Sequence, residues 1–434
     1  MSENILLINV HSSRNAGDAA LVQVTLEQLQ QNFPGCRLTL SMDDPSSHLG
    51  SEPTTGSIFA WVLQPMPGGA ARWNLPRLAW LLPGSLLPVW SQRLLGRAFY
   101  GLTPASLRPI LQAYLEADLV ISKPGGFLYS SGSGLVLALA AYSLALALLA
   151  GKPVYLFPQS LGPLHRPWEG RMLRWVLERI RIVMLREPVS LRLAQAMGVR
   201  NPRCLLVPDL AFAMPAAGQE VGAEWLRSQG LDPQDGRPRL GMTMVNWGAQ
   251  NRRFGQQQAY ESACAAAARW FVQQCGGQVI LFPQVWGPLE SQDDRIPARR
   301  AAAQLADLGE AVFVVENPLP QELLKSVYGW MDLFIGTRMH SNIFALSQGV
   351  PVIAIGYLHK TQGIAEMAGL AQWVLEIDQV DDALLVERLA ALWAEQEAWR
   401  AHIARAIPPM VAQAAQVGRM VGEDYASLRR EKII

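Results

Sequence analysis

At 434 residues the chain is longer than one hydrophobic core usually supports, so two domains are expected. Half of the residues are hydrophobic and 17% are charged, which suits buried parallel sheets and excludes a disordered chain. A formal net charge of +1 excludes nucleic acid as a favoured partner.

The four cysteines, Cys36, Cys204, Cys264 and Cys275, are scattered without metal-ligand spacing, and no His cluster joins them. A reduced, cytoplasmic compartment is expected. The N-terminus, MSENILLINV, carries Glu3 where a signal peptide would be basic, and runs directly into a strand-like stretch.

The first half alternates strand and helix. A strand over 5–10 leads into a polar loop, 11–18, containing Asn15-Ala16-Gly17-Asp18. A helix over about 19–31 follows, closed by Pro34-Gly35, and then a strand at 37–41. A strand at 119–122 precedes a Gly125-Gly126 turn, and 134–150 is the most apolar stretch of the chain. That stretch is shorter than the ~20 residues needed to cross a bilayer, and a strand over 153–157 follows at once. A helix buried against a sheet is expected there. The strand ends at Pro158-Gln159-Ser160-Leu161-Gly162-Pro163. Next come a helix around 168–180, a strand at 182–185, a helix at 189–197, and a strand at 205–207 before Pro208-Asp209.

Residues 215–238 have the Gly, Pro and Gln content of a domain connection. The pattern then restarts with a strand at 240–245 ending in Asn246-Trp247-Gly248, and a helix at about 257–274. Strands at 279–282, running into Pro283-Gln284, and at 312–315 follow. Residues 331–360 form a compact strand–helix–strand unit: a strand at 333–335, a corner at Gly336-Thr337-Arg338-Met339-His340, and a helix stopping at Gly349. A second strand, 352–355, ends in Gly356-Tyr357, and helices fill most of 381–428. The fold class read from this alternation is α/β, with two Rossmann-like domains facing across a cleft. The expected boundaries are 1–215, with an insertion at 53–115, then 238–395, and C-terminal helices at 396–434.

The insertion departs from the alternation. It holds no acidic residue, while Arg72, Arg77, Arg93, Arg97 and Arg108 lie among Trp61, Trp73, Trp80 and Trp90. Two readings stand side by side. One is a peripheral membrane contact. The other is a lid or oligomer contact burying the same groups, and it is slightly favoured because Trp and Arg are equally typical of protein interfaces.

In parallel sheets ligands bind beyond the carboxyl ends of the strands, where helix N-termini point their free N–H groups. Arg338, His340 and Ser341 fall at such a corner. A cation, a titratable imidazole and a hydroxyl there suit an anionic substrate that needs a proton, although Ser341 would serve equally as a helix cap. Other polar turns at strand ends are Asn15 to Asp18, Lys123 to Gly126, Gln159-Ser160, Arg186-Glu187, Gln284 and Tyr357 to Lys360. No Walker A loop, dinucleotide fingerprint, His-Glu-x-x-His site or nucleophile elbow is present in the sequence.

Taken together, the Asn15–Asp18 loop, Gly125-Gly126, Pro158 to Pro163, Arg186-Glu187-Pro188-Val189-Ser190, Pro208-Asp209 and Gly336 to Ser341 through Gly349-Val350-Pro351-Val352 resemble the polysaccharide pyruvyl transferase family. The resemblance covers the chain from the first strand to about residue 370. It implies a two-domain fold like that of GT-B glycosyltransferases. It also implies transfer of the pyruvyl group of phosphoenolpyruvate to two sugar hydroxyls, giving a ketal. Two departures are Lys123-Pro124 before the glycine pair and the length of 53–115; both bear on the acceptor more than the donor.

The residue chemistry fits that donor. Ketal formation requires protonating the methylene carbon of an enol ether, and His starts with a suitable pKa. His340 is the candidate acid. A helix N-terminus disfavours imidazolium, which a bound phosphate and carboxylate would offset. Arg338 would grip phosphate or carboxylate in a bidentate fork, with Ser341, Tyr357, Lys360, Arg186 and Arg295 as further donor-side candidates. Asp18 would accept a hydrogen bond from an attacking hydroxyl or act as its base, unless it caps the helix beginning at residue 19. Asn15, Gly17, Gly125, Gly126, Gln159 and Ser160 are the acceptor-side candidates, for a sugar or lipid-linked oligosaccharide. No metal or cofactor is required by this chemistry.

The alternatives are a GT-B-type glycosyltransferase or sugar-nucleotide epimerase, with Glu316 as the carboxylate near a ribose, and a non-catalytic envelope-assembly protein docking partners through 53–115.

Overall fold

In a computed structural model, residues 2–65, 71–251, 254–287, 289–357 and 359–433 are described. Residues 66–70 of the Trp- and Arg-rich segment and Leu358 of the Tyr357–Lys360 turn lie outside that set. The chain divides into two compact units, one of Met1–Ser13, Leu21–Leu210 and Gln413–Ile434, the other of Arg14–Ala20 and Ala211–Ala412.

The first unit is built on β1 (Asn4–Val10), β2 (Arg37–Met42), β3 (Thr54–Gly56), a hairpin of β4 (Leu63–Pro65) and β5 (Ala71–Trp73), β6 (Leu119–Ser122), β7 (Gly125–Leu128), β8 (Val154–Leu161), β9 (Ile182–Leu185) and β10 (Cys204–Leu206). Among the described residues its main sheet runs in the order β10-β9-β8-β6-β1-β2-β3, all parallel, with β7 beside β8. β6, β8 and β9 are buried at every position, as continuous apolar runs in a parallel sheet should be. The apolar stretch expected to be a buried helix is one. Helix Leu135–Leu149 sets Leu137, Leu139, Leu144 and Leu146 into the core of this unit.

Two turns expected in this unit are strand instead. Gly125-Gly126 opens β7, and β8 continues through Pro158-Gln159-Ser160 to Leu161. The pairing of β8 with β9 slips register between Leu156 and Gln159, around Pro158. A proline lacks the N–H that a regular ladder requires, so the strand passes it on an irregularity and then resumes. The last helix, Val417–Ile433, belongs to the first unit, where buried Asp424 accepts hydrogen bonds from Tyr155 (2.8 Å) and Arg181 (2.8 and 3.0 Å).

The second unit carries β11 (Arg239–Thr243), β12 (Gln278–Leu281), β13 (Val312–Val314), β14 (Leu333–Gly336), β15 (Val352–Gly356) and β16 (Val374–Glu376). Among the described residues they form one parallel sheet, ordered β13-β12-β11-β14-β15-β16. The chain builds outward from β11 through β12 to β13, then returns to place β14 on the other flank of β11. Thr243 and Gly336 are paired neighbours where the order reverses. A crevice outside the carboxyl ends of the strands at such a reversal is where open α/β sheets bind ligands.

The expected connection at 215–238 contains a helix, Gln219–Ser228, which buries Gly222, Ala223 and Leu226. A Cβ on Gly222 would lie 2.6 Å from Ser326 Oγ, so this helix sits close against helix Gln321–Tyr328. The helical region near the C-terminus resolves into Asp382–Ala394, Gln396–Ala414 and Val417–Ile433.

Candidate active site

The corner after β14 is fixed by short-range geometry. Asn342 donates its amide to the Gly336 carbonyl (3.0 Å), and a Cβ on Gly336 would lie 1.6 Å from Asn342 Oδ1. Only glycine lets the strand end so close to the helix that follows. That helix, Met339–Ser347, has Arg338 at its N-cap with no side-chain cap bond. Ser341 lies inside the first turn rather than at the N-cap, so the alternative reading of it as the helix cap does not hold. Its hydroxyl donates to the Arg338 carbonyl (2.5 Å) and shares a hydrogen bond with Thr243 Oγ1 (2.8 Å). Thr243 Oγ1 also accepts from the Thr337 N–H (3.2 Å), which ties the corner to the end of β11.

Arg338 is turned onto a buried carboxylate. Its Nε donates to Asp294 Oδ2 (3.0 Å) and its Nη2 to Asp294 Oδ1 (2.6 Å), while Nη1 lies 3.4 Å from the Tyr357 hydroxyl. Asp294 is fully buried and also accepts from the N–H groups of Gln284 (3.2 Å) and Val285 (3.1 Å) in the loop after β12. Burial lowers the Arg338 pKa, but the Asp294 carboxylate more than offsets it, so the guanidinium stays charged. The Nε–Nη2 edge of the guanidinium is therefore occupied by Asp294. The edge left for an anion is Nη1–Nη2, beside Tyr357. The Tyr357 ring packs on Trp247 from the loop after β11, with centroids 4.5 Å apart.

The Asn15–Asp18 loop was expected on the acceptor side; Arg14–Ala20 instead groups with the second unit. Asn15 forms an isolated bridge with Val285, and the Ala16 N–H donates to the Gln284 carbonyl (3.1 Å). Helix Ala16–Asn32 starts three residues earlier than expected, and its cap is Asn15 rather than Asp18. Asn15 Oδ1 accepts from the N–H groups of Gly17 (2.9 Å) and Asp18 (3.3 Å). Asp18 is left in the first turn, partly exposed. Gly17 lies against His340: a Cβ there would be 2.0 Å from Nδ1 and 2.8 Å from the His340 Cβ. His340 as a residue is partly buried, with its Nε2 shielded from solvent. Within this unit the Asn15–Asp18 loop and the Arg338–His340 corner thus meet at one point.

Of the other donor-side candidates, Lys360 lies in the first turn of helix His359–Met367 and is partly buried. Arg295 is paired with Asp293 (2.6 Å) and stacked over Trp286 (5.0 Å). Arg186 lies in the first unit, fully buried, donating to Asp209 (2.5 Å) and to Ser160 Oγ (2.7 Å). Ser160 in turn donates to Glu187 (3.0 Å), which also accepts from Ser190. A Cβ on Gly126 would come 2.5 Å from Arg186 Nη2, so the glycine pair makes room for this network. Gln159 and Ser160, expected as sugar contacts, are buried in β8 beside it; a sugar would have to displace the network to reach them.

Sequence reasoning passed over Asp294. In Asp293-Asp294-Arg295 nothing but the fold distinguishes the carboxylate that enters the core from the one that pairs at the surface. Among the described residues no group of three or more His, Cys, Asp or Glu side chains could hold a metal ion.

The family model described as polysaccharide pyruvyl transferase matches residues 15–359. The amylovoran biosynthesis protein AmsJ of Erwinia amylovora is 25% identical over 415 residues, 93% of this chain and 95% of that protein. Among solved structures, sucrose-phosphate synthase from Thermosynechococcus elongatus aligns with a TM-score of 0.55 at 16% identity, over 99% of this chain and 100% of that one. Spinosyn rhamnosyltransferase SpnG with thymidine diphosphate gives 0.54 at 12% identity, over 96% and 99%. These likenesses assign the fold of the two parallel-sheet units, that of GT-B glycosyltransferases. With the matched span running from the Asn15 cap past the Arg338–His340 corner, the chain belongs to the polysaccharide pyruvyl transferase family, and is a transferase.

Proposed function

We propose that the protein moves the pyruvyl group of phosphoenolpyruvate onto two hydroxyls of one sugar in a cell-surface polysaccharide or its lipid-linked precursor. The observation that carries this reading is the Gly17–His340 contact beside a charged Arg338, at the strand-order reversal of the second unit.

His340 protonates the methylene carbon of the donor's enol phosphate, which leaves an oxocarbenium-like centre at the adjacent carbon. One sugar hydroxyl adds there, the carbon–oxygen bond to phosphate breaks, and the second hydroxyl closes the ketal. Of the two hydroxyl protons, one restores His340 and the other leaves with hydrogen phosphate. Arg338, through Nη1 and Nη2, holds the donor's phosphate or carboxylate, with Lys360, Arg295 and Tyr357 as further donor contacts and buried Ser341 holding the corner to Thr243. Asp18 orients the attacking hydroxyl or relays its proton to His340 or the phosphate. The donor enters as substrate, and no resident cofactor takes part. The reaction belongs at the cytoplasmic face of the membrane, where a lipid-linked acceptor is available.

The glycosyltransferase reading rests on fold alone. Glu316, the carboxylate it would use for a ribose, is paired with Arg299 (3.0 Å) at the surface. Isothermal titration separates the two. Binding of phosphoenolpyruvate, weakened by Arg338→Ala, is expected; tight binding of a nucleotide sugar with no response to phosphoenolpyruvate would overturn the proposal.

A further inference from the structure

Helix Leu75–Leu95 of the first unit is apolar on both sides. It meets the body of its unit with Leu81, Pro88 and Val89 and with small and polar groups. Ser85 Oγ lies 2.7 Å from the Tyr142 hydroxyl, Ser91 Oγ accepts from the Phe99 N–H (2.8 Å), and the Gly84 carbonyl accepts from Thr103 (2.7 Å). A second set of large apolar side chains points outward. Trp80, Leu82, Trp90 and Leu94 are each about half exposed or more, and at 3.6 residues per turn they occupy one face roughly 160° wide. Phe99 and Leu102 extend the exposed apolar surface past the helix end. An ordinary surface helix is polar on its outer face.

Charge says what covers this face. Residues 53–115 contain five arginines and no carboxylate, and Arg93, Arg97 and Arg108 are exposed at the helix end and beyond it. A second copy of the chain docked here by a two-fold axis would set arginine against arginine, with no acid in the segment to answer it. A bilayer with anionic headgroups answers both features at once. Its acyl boundary takes up the Trp and Leu side chains, and its phosphates pair the arginines. Among the described residues no helix is long and apolar enough to cross a membrane, so this one would lie along the surface.

We infer that the outer face of helix Leu75–Leu95, with Arg93, Arg97 and Arg108, is a docking surface for an anionic phospholipid bilayer. This stands apart from the transfer reaction, since binding is read without substrate.

The test is flotation of the full-length protein with vesicles of phosphatidylcholine, with and without phosphatidylglycerol. Wild type is expected to float with the anionic vesicles and to be released by salt. Trp80→Ser/Trp90→Ser/Leu94→Ser should abolish flotation, and Arg93→Gln/Arg97→Gln should weaken it roughly 30-fold, at about fivefold per arginine. These side chains are exposed, so thermal unfolding should stay at the wild-type temperature and phosphate release with a soluble acceptor should be unchanged. Failure of wild type to float at low salt, or flotation of the triple variant as well as wild type, overturns the inference. So does a wild-type dimer in solution that the triple variant dissociates while vesicles go unbound.

Discussion

Gly17→Ala probes the meeting of the two motifs with a single methyl group. The added Cβ would stand 2.0 Å from His340 Nδ1, 2.4 Å from its Cγ and 2.8 Å from its Cβ. Atoms at rest sit about 3.5 Å apart, so the imidazole must withdraw by roughly 1.5 Å. Rotation about χ1 cannot relieve the clash, because the His340 Cβ is itself too close, so the helix start or the corner must move. Displacing a catalytic group by about 1 Å can cost around 100-fold in rate. Stability should change far less. Overpacking costs about 1–3 kcal/mol, and alanine in place of glycine within a helix returns about 1 kcal/mol. The assay is phosphate release from phosphoenolpyruvate with a sugar acceptor, run beside urea unfolding. We expect a loss of about 100-fold in kcat/KM with the fold retained. In a His340→Ala background the same substitution should cost almost nothing further. Full activity in Gly17→Ala, or an equal loss with and without the imidazole, would refute the reasoning.

Three other outcomes are expected. Arg338→Lys keeps the charge but cannot hold Asp294 and an anion on two edges, so kcat/KM should fall about 100-fold; near-wild-type turnover would count against the donor-binding role. Arg186→Ala strands the Asp209 and Glu187 carboxyls in the core of the first unit, which should cost about 3–5 kcal/mol in urea unfolding; a loss under about 1 kcal/mol would show the network to be dispensable. Lys325 is buried with its ammonium on the Met214 carbonyl (2.6 Å), and burial pushes its pKa down to about 8. Between about pH 8 and 10.5 the unfolded chain binds the extra proton, so stability rises with pH there, and below pH 8 the cost is fully present. Wild type should gain on the order of 3 kcal/mol across that window relative to Lys325→Met; a flat or falling difference contradicts the burial.

The alternation of strand and helix was legible in the sequence because buried parallel strands are short apolar runs between polar turns, as at Leu119–Ser122 and Ile182–Leu185. What the sequence concealed was set by tertiary contacts. Pro158 looked like the end of a strand, yet β8 passes it on a register slip and buries Gln159 and Ser160. Residues 215–238 looked like a tether because Gly222 and the polar residues around it mask the face that packs on Ser326. At the site, Arg338, His340 and Tyr357 could be picked out at strand ends. The partner that orients Arg338, Asp294, comes from a run of charged residues whose burial no local pattern announces. The Asn15–Asp18 loop was found by its motif, but its grouping with the second unit was not legible, since its contacts with Val285 and His340 join positions more than 250 apart in the chain.

The most direct test of the central claim is acceptor-dependent phosphate release from phosphoenolpyruvate across a panel of sugars, comparing wild type with His340→Ala. The account predicts one phosphate per pyruvyl ketal formed with at least one sugar, and a loss of about 100-fold or more on removing the imidazole. Ketal formation that proceeds at the wild-type rate without His340 would contradict it.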